Sequence, residues 1–200
     1  DLLSGLQGAV GGERLAQRAG QLVMVGAPAT GSVTAAARAV SRHHVGNVML
    51  TGRSRSGVRA TARVSARLQA GTTEAATADV PLLVATDQEG GAVQVLAGPG
   101  FSPIPAARTQ GTWGRSTLRL QATRWGRQLR AAGVQLNLAP VADVVPTSEA
   151  AGNAPIGAYG RQFGPDPDDV ADHAGAFAAG MGQANVLAVA KHFPGLGRVT

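Results

Sequence analysis

Two patterns of apolar and polar positions alternate along this chain. Short apolar runs bounded by glycine, proline or polar residues read as buried strands, and longer stretches with apolar residues three and four apart read as helices. Glu13 to Gly20 reads as a short helix leading into a first strand, Gln21–Val25. The alanine-rich stretch Ser32–Val40 is a helix ending near His43 and His44, and Asn47–Leu50 is a second strand. After a polar loop, Gly57–Ala70 is a helix with Val58, Ala62, Val64 and Leu68 toward one side. A polar linker, Gly71–Asp79, leads to a third strand, Val80–Thr86, and a long Gly- and Pro-rich loop follows to Pro105. Thr117–Ala132 is a helix with Leu118, Ala122, Trp125 and Leu129 at helical spacing, closed by Gly133. Val134–Asp143 is a fourth strand, and a second long loop covers Val144 to Pro165. Asp166–Ala184 is a helix with acidic residues in its first turn, where the helix dipole favours them. A fifth strand starts at Leu187 and is stopped by Pro194, Gly195 and Gly197.

Strand and helix thus alternate five times, less the last helix. That order implies a parallel sheet with helices outside it. Two arrangements fit. An open doubly wound sheet binds a nucleotide through a glycine-rich turn after the first strand. Here that turn spans Val25 to Gly31, has Pro28 in the middle and lacks G-x-G-x-x-G. The second arrangement is a (β/α)8 TIM-type barrel, in which polar residues gather at the carboxyl ends of the strands. Asp87, Asp143, Lys191 and His192 all fall at such ends. A barrel takes about eight strands. The expectation is therefore an α/β fold, an incomplete barrel of which this chain supplies about the first five strands. Residues 1–200 would form the N-terminal part of one domain.

The composition changes this picture little. A hydrophobic content of 44% with 15% charged residues describes a chain that folds around a core. The net charge of +6 raises nucleic-acid binding, but the arginines are scattered and no aromatic-rich basic stripe accompanies them. No nucleic-acid partner is expected. The absence of cysteine excludes disulfides and thiolate metal sites. His43 and His44 are adjacent, while His173 and His192 lie far off, and no spacing typical of a zinc site occurs. Neither a metal nor a cofactor is expected. No apolar stretch is long enough to span a membrane. The chain begins at Asp1, which suggests a processed or trimmed product.

The candidate chemistry centres on Lys191 and His192. Lys191 is the only lysine among 18 basic residues, so the position calls for an ammonium where arginine was the habitual choice. A cation and an imidazole side by side at a strand end form a site on a rigid scaffold. A lysine there adds little to the core, so its removal is expected to change stability little.

Four motifs stand in a telling order: Asp87-Gln-Glu-Gly-Gly91, Asn137-Leu-Ala-Pro-Val-Ala-Asp143, Arg161-Gln-Phe-Gly-Pro-Asp-Pro167 and Lys191-His-Phe-Pro-Gly195. In this the chain resembles the family 3 glycoside hydrolases, above all the bacterial β-N-acetylglucosaminidase (β-hexosaminidase) branch that serves peptidoglycan turnover. The resemblance runs from about Leu22 to the end. It implies hydrolysis of terminal non-reducing β-linked N-acetylglucosamine with retention, through an aspartate nucleophile and a histidine proton donor. Both are expected after Thr200, so no catalytic residue is assigned within the chain, and the chain alone is expected to be inactive. The implied sugar ligands are Asp87, Arg161, Lys191 and His192. An ionised carboxylate accepts two hydroxyl hydrogen bonds, which suits Asp87 to a pyranose edge. Asp143 is expected to orient Lys191 or Arg161 by an ion pair, and Glu89 to support its loop.

The implied partner is a carbohydrate, an N-acetylglucosamine-containing glycan or muropeptide. A β-glucosidase or xylosidase of the same family, or an inactive sugar-binding relative, is the alternative. An extracytoplasmic or cell-surface location is preferred to a cytoplasmic one. Two departures from the family pattern matter. Val95 stands where a sugar-binding arginine is expected, so either another arginine, Arg53 or Arg108, replaces it or the grip on the sugar is weaker. Leu196 stands where a histidine is common.

Overall fold

The computed structural model describes residues 12–199. Five parallel strands form one sheet: β1 (Met24–Pro28), β2 (Asn47–Thr51), β3 (Leu83–Thr86), β6 (Leu136–Asn137) and β7 (Leu187–Ala188), in that spatial order. Between β3 and β6 lies a small antiparallel hairpin, β4 (Gln88–Gly90) and β5 (Val93–Gln94). The helices are α1 (Gly12–Gly20), α2 (Thr34–His43), α3 (Gly57–Gln69), α4 (Glu74–Thr77), α5 (Ala107–Gln110), α6 (Arg115–Ala131) and α7 (Pro167–Gln183). Each sheet strand is followed by a helix before the next, as the alternating pattern predicts. Consecutive strands lie side by side with no reversal of order, so the sheet is that of an open, incomplete barrel.

One core joins sheet and helices. Val48, Leu50 and Val84 of the sheet meet Val40, Leu68, Leu129, Phe177 and Met181 from the helices. At the two free edges the apolar residues are open: Leu22 and Met24 beside β1, and Leu187 and Val189 at β7. Register aligns the strand ends. Leu50 pairs with Thr86, Thr86 with Asn137 and Asn137 with Ala188, so the loops after these strands leave at one level.

The strand ends differ from the sequence expectation for identifiable reasons. Gln21–Val25 was expected as the first strand, yet pairing begins at Met24. Residues 21–23 give their N–H groups back to the end of α1, at Gln17, Ala19 and Gly20. The third strand starts at Leu83 because Pro81 has no N–H to pair and the Gln69 side chain holds both backbone groups of Leu82 (2.9 and 2.8 Å). The expected strand Val134–Asp143 keeps regular pairing only at Leu136–Asn137. Pro140 interrupts the ladder, which resumes at Val141 opposite Lys191. The linker contains α4, capped by Thr73, and α5 lies between the end of the first long loop at Pro105 and the helix expected from Thr117. The last helix begins where its acidic first turn predicts, with the Asp166 carboxylate accepting from the N–H groups of Asp168 and Asp169.

Helices α6 and α7 pack closely through Gly180. A Cβ there would stand 2.4 Å from the carbonyl oxygen of Arg119 and 2.6 Å from the Cβ of Ala122. Gly175 on the same helix faces open space. Gly180→Ala is therefore expected to destabilise the fold by about 1–3 kcal/mol through overpacking. Gly175→Ala should be neutral or stabilise by up to about 1 kcal/mol, the helix-propensity gain. Urea unfolding of both variants checks this; equal effects would contradict the packing described.

Candidate active site

The rim at the carboxyl ends of β3, β6 and β7 carries two linked clusters of charge. Asp87 follows Thr86, the last residue of β3, and Glu89 lies two residues on in β4. Period-two alternation puts both on one side of the strand. Lys191 reaches them from beyond β7. Its Nζ is 2.6 Å from Asp87 Oδ1 and 2.6 Å from Glu89 Oε1. Arg161, from the loop after β6, grips Glu89 with a two-pronged contact, Nε to Oε2 at 2.9 Å and Nη2 to Oε1 at 2.7 Å. Its Nη1 donates to the carbonyl of Pro155 at 2.7 Å. Glu89 is thus the hub that joins the hairpin, the long loop and β7, and its side chain is only 4% exposed.

A buried Glu89 beside a partly exposed Asp87 is tolerable because two cations face them. The hydrogen bonds it donates to Glu89 hold the Arg161 guanidinium above its ordinary range. Burial works against this, and the charges of Glu89, Asp87 and Asp143 add to it. A proton held more tightly in the fold than in the unfolded chain stabilises the fold at every pH below the arginine range. That contribution is lost only in strong alkali.

The second cluster is centred on Asp143, whose side chain is fully buried. Its Oδ2 accepts from His192 Nδ1 at 2.6 Å, and its Oδ1 accepts from the backbone N–H of Leu196 at 2.5 Å. Asn153, also buried, donates to the carbonyls of Leu196 and Val199 (both 2.8 Å) and accepts from the N–H groups of Ile156 and Gly157. Together they latch the loop after His192 onto the loop after β6. Gly197 permits the approach, since a Cβ there would lie 2.1 Å from the Val144 carbonyl oxygen. The Lys191–His192 peptide bond is cis.

The structure brings Asp87, Arg161, Lys191, His192 and Asp143 to one rim. It corrects two sequence expectations. Asp143 pairs with His192 and the Leu196 backbone rather than with Lys191 or Arg161. Glu89 does more than support its loop, because it sets the position of two cations. The spacing Asp87-x-Glu89 was a signal for that; nothing in the sequence marked Asn153. Neither candidate for the missing arginine carries its guanidinium into these ion pairs. Arg53 donates to the carbonyls of Ala92 and Gln94, and Arg108 lies against Gly160. Val95 packs against the main core, and Leu196 packs with Val141, Val145 and Ile156. Both departures therefore fill apolar space. Among the described residues, no three His, Asp or Glu side chains come together in a way that could hold a metal ion.

Comparison with known proteins bears on the family and the fold. Residues 14–200 match the family model described as the glycosyl hydrolase family 3 N terminal domain. Over 123 residues the chain is 41% identical to the β-hexosaminidase LpqI of Mycobacterium tuberculosis, covering 60% of this chain and 30% of that protein. The fold superimposes on the crystal structure of a β-N-acetylhexosaminidase from Beutenbergia cavernae with a TM-score of 0.92 and 57% identity, over 93% of this chain and 55% of that one. A family 3 β-N-acetylglucosaminidase from Paenibacillus sp. gives a TM-score of 0.77 and 32% identity over 92% of this chain and 34% of that one. The chain spans about half or less of the length of these relatives. The family match, the incomplete parallel barrel and the rim of paired charges lead to one assignment: the chain belongs to glycosyl hydrolase family 3.

Proposed function

We propose that this chain is the sugar-gripping half of a retaining exo-β-N-acetylglucosaminidase, acting on glycans of the cell wall. The observation that carries the reading is the Lys191 ammonium seated between Asp87 and Glu89 on the rim, with His192 beside it. Lys191 spends two of its three N–H bonds on carboxylates and keeps one for a sugar hydroxyl. Asp87 keeps its second oxygen as an acceptor. His192 keeps Nε2, and Arg161 keeps two N–H bonds beyond those given to Glu89 and Pro155. Such a mixed set of donors and acceptors matches the hydroxyls of a pyranose, each of which both gives and takes a hydrogen bond.

The relatives named as β-hexosaminidases and β-N-acetylglucosaminidases favour this sugar over plain glucose. The open apolar edges at β1 and β7 fit completion of the barrel by further strands, which we assign to the same domain. Nucleophile and proton donor are assigned to that remainder, so residues 1–200 alone should not turn over. No helix among the described residues is long and apolar enough to cross a membrane.

The test is hydrolysis of nitrophenyl N-acetyl-β-glucosaminide and nitrophenyl β-glucoside by the full-length protein. The N-acetylglucosaminide should be the better substrate by at least about tenfold in kcat/KM, the scale of one lost polar contact. Preference for the glucoside would overturn the assignment, and so would turnover by residues 1–200 alone.

A further inference from the structure

The outer wall of the barrel carries charge of one sign. Helices α2, α3 and α6 connect the neighbouring strands β1, β2, β3 and β6, so they lie side by side outside the sheet. Ser65 of α3 donates to the carbonyl of Ala132, which ends α6, at 2.8 Å. Val40 of α2 and Leu68 of α3 share the core. Each helix presents a pair of exposed arginines: Arg38 and Arg42, Arg59 and Arg63, Arg124 and Arg127. The members of a pair are three or four residues apart and therefore lie on one side of their helix. Residues 34–43, 57–69 and 115–131 include neither aspartate nor glutamate. This wall sits between the two open edges of the sheet, so strands added at β1 or β7 would leave it uncovered.

Two ordinary explanations fall short. A cation in the last turn answers the helix dipole, which accounts for Arg42. The same dipole calls for acids in the first turn. Helices α4 and α7 have them, whereas α2, α3 and α6 have none. A solvated helix face mixes both signs, so that residues four apart attract. Here Arg38 and Arg42 repel, as do Arg59 and Arg63. Among the described residues, none of the six arginines meets a carboxylate. Such a face complements an anion, and its shape selects among anions. Neighbouring helices of an eight-unit barrel turn by about 45°, so the wall is broad and convex. A groove that tracks a single polymer strand has the opposite shape. Trp125, the one aromatic residue on these helices, is buried, so the wall gives bases no stacking platform. Leu120 is 68% exposed and stands one turn before Arg124 on α6. An open apolar side chain beside guanidinium groups suits a bilayer surface. Lipid phosphates meet the arginines there, and the leucine reaches toward the acyl boundary.

We propose that the wall formed by α2, α3 and α6 docks the protein sideways on an anionic phospholipid bilayer. The wall flanks the sheet, whereas Asp87, Lys191 and Arg161 lie at the carboxyl ends of the strands. The rim therefore stays open while the wall is bound. The inference does not depend on which sugar the rim takes.

The experiment is co-sedimentation of the full-length protein with two kinds of vesicle. One is pure phosphatidylcholine, and the other contains about 30% phosphatidylglycerol to supply the negative surface. Each arginine held near such a surface strengthens partition by about three- to fivefold. At low salt the wild type should prefer the anionic vesicles by about a hundredfold or more, and about 0.5 M salt should remove most of that preference. Arg59→Gln combined with Arg63→Gln should weaken binding to anionic vesicles by about ten- to twentyfold, and so should Arg124→Gln combined with Arg127→Gln. Arg55→Gln combined with Arg198→Gln removes the same charge from loops at the strand carboxyl ends. That pair should change binding by less than about threefold, because it lies off the wall. Leu120→Gln leaves the charge alone and should weaken vesicle binding by about threefold or more. All these side chains are exposed, so the substitutions leave the core untouched. Equal binding of wild type to the two vesicle types overturns the proposal. An equal loss in all three arginine pairs does the same, since net charge would then be the cause. Binding of soluble inorganic polyphosphate without binding of anionic vesicles also overturns it.

Discussion

Lys191→Met in the full-length protein should lower kcat/KM by about ten- to a hundred-fold and also weaken the fold. The first effect is the loss of a charged donor to a sugar hydroxyl, worth about 1.5–3 kcal/mol. The second arises from the two carboxylates that share the ammonium. With 2.6 Å from Nζ to each, Asp87 Oδ1 and Glu89 Oε1 are no more than about 5.2 Å apart, twice that contact. Without the cation, two such charges repel by about 3 kcal/mol at an effective dielectric constant near 20. Asp87 is 22% exposed and can recruit water, and Glu89 keeps Arg161, so about 1–2 kcal/mol should survive. This revises the expectation from sequence that a strand-end lysine carries little stability. Lys191→Arg should rescue neither property. A second planar guanidinium would have to fit beside that of Arg161 on the same Glu89. The diagnostic is the double variant with Asp87→Asn. It should regain stability by removing the uncompensated charge, yet remain inactive. If thermal unfolding shows no loss in Lys191→Met, or no recovery in the double variant, the shared-cation account is wrong.

The order of elements and the identity of the rim residues were legible in the chain because they rest on strong, local signals. Apolar runs such as Leu83–Thr86 can only be buried, and a polar residue directly after such a run must emerge at a strand end. What the sequence hid were the places where one segment borrows hydrogen bonds from another. Gln69 takes the backbone of Leu82 out of the third strand across 13 residues, and the end of α1 takes the N–H groups of residues 21–23 out of the first. Helices of four residues, α4 and α5, are too short to show a period. The partner of Asp143 was misassigned for a related reason. Asp143, Lys191, His192 and Arg161 all converge on one rim, and charge alone favours the lysine or arginine. The pairing follows instead from the resumed ladder, which sets Val141 opposite Lys191. Asp143, two residues after Val141, then meets His192 and Leu196.

That pairing makes Asp143→Asn the sharper probe of His192. The carboxylate can only accept, so the hydrogen bond at 2.6 Å requires the proton on Nδ1 and leaves Nε2 as the second polar atom of the ring. An asparagine has one oxygen for two donors, the imidazole and the Leu196 N–H. If its oxygen keeps the backbone N–H, its NH2 faces Nδ1. The neutral ring must then carry its proton on Nε2, inverting what His192 offers a hydroxyl. Asp143→Asn should therefore retain most of the fold and lower kcat/KM by about tenfold or more, one misplaced polar contact at the sugar. Nitrogen-15 shifts of the ring should move from an Nδ1–H to an Nε2–H pattern. Asp143→Ala should behave differently. It strips both hydrogen bonds from a fully buried position and leaves the Leu196 N–H unpaired, so about 2–4 kcal/mol of stability should go with the activity. Asn153→Ala, which loosens the same loop without touching His192, should share the stability loss and leave the ring pattern unchanged. An Asp143→Asn enzyme with wild-type kcat/KM and an unaltered ring pattern would show that the carboxylate serves only to latch the loop.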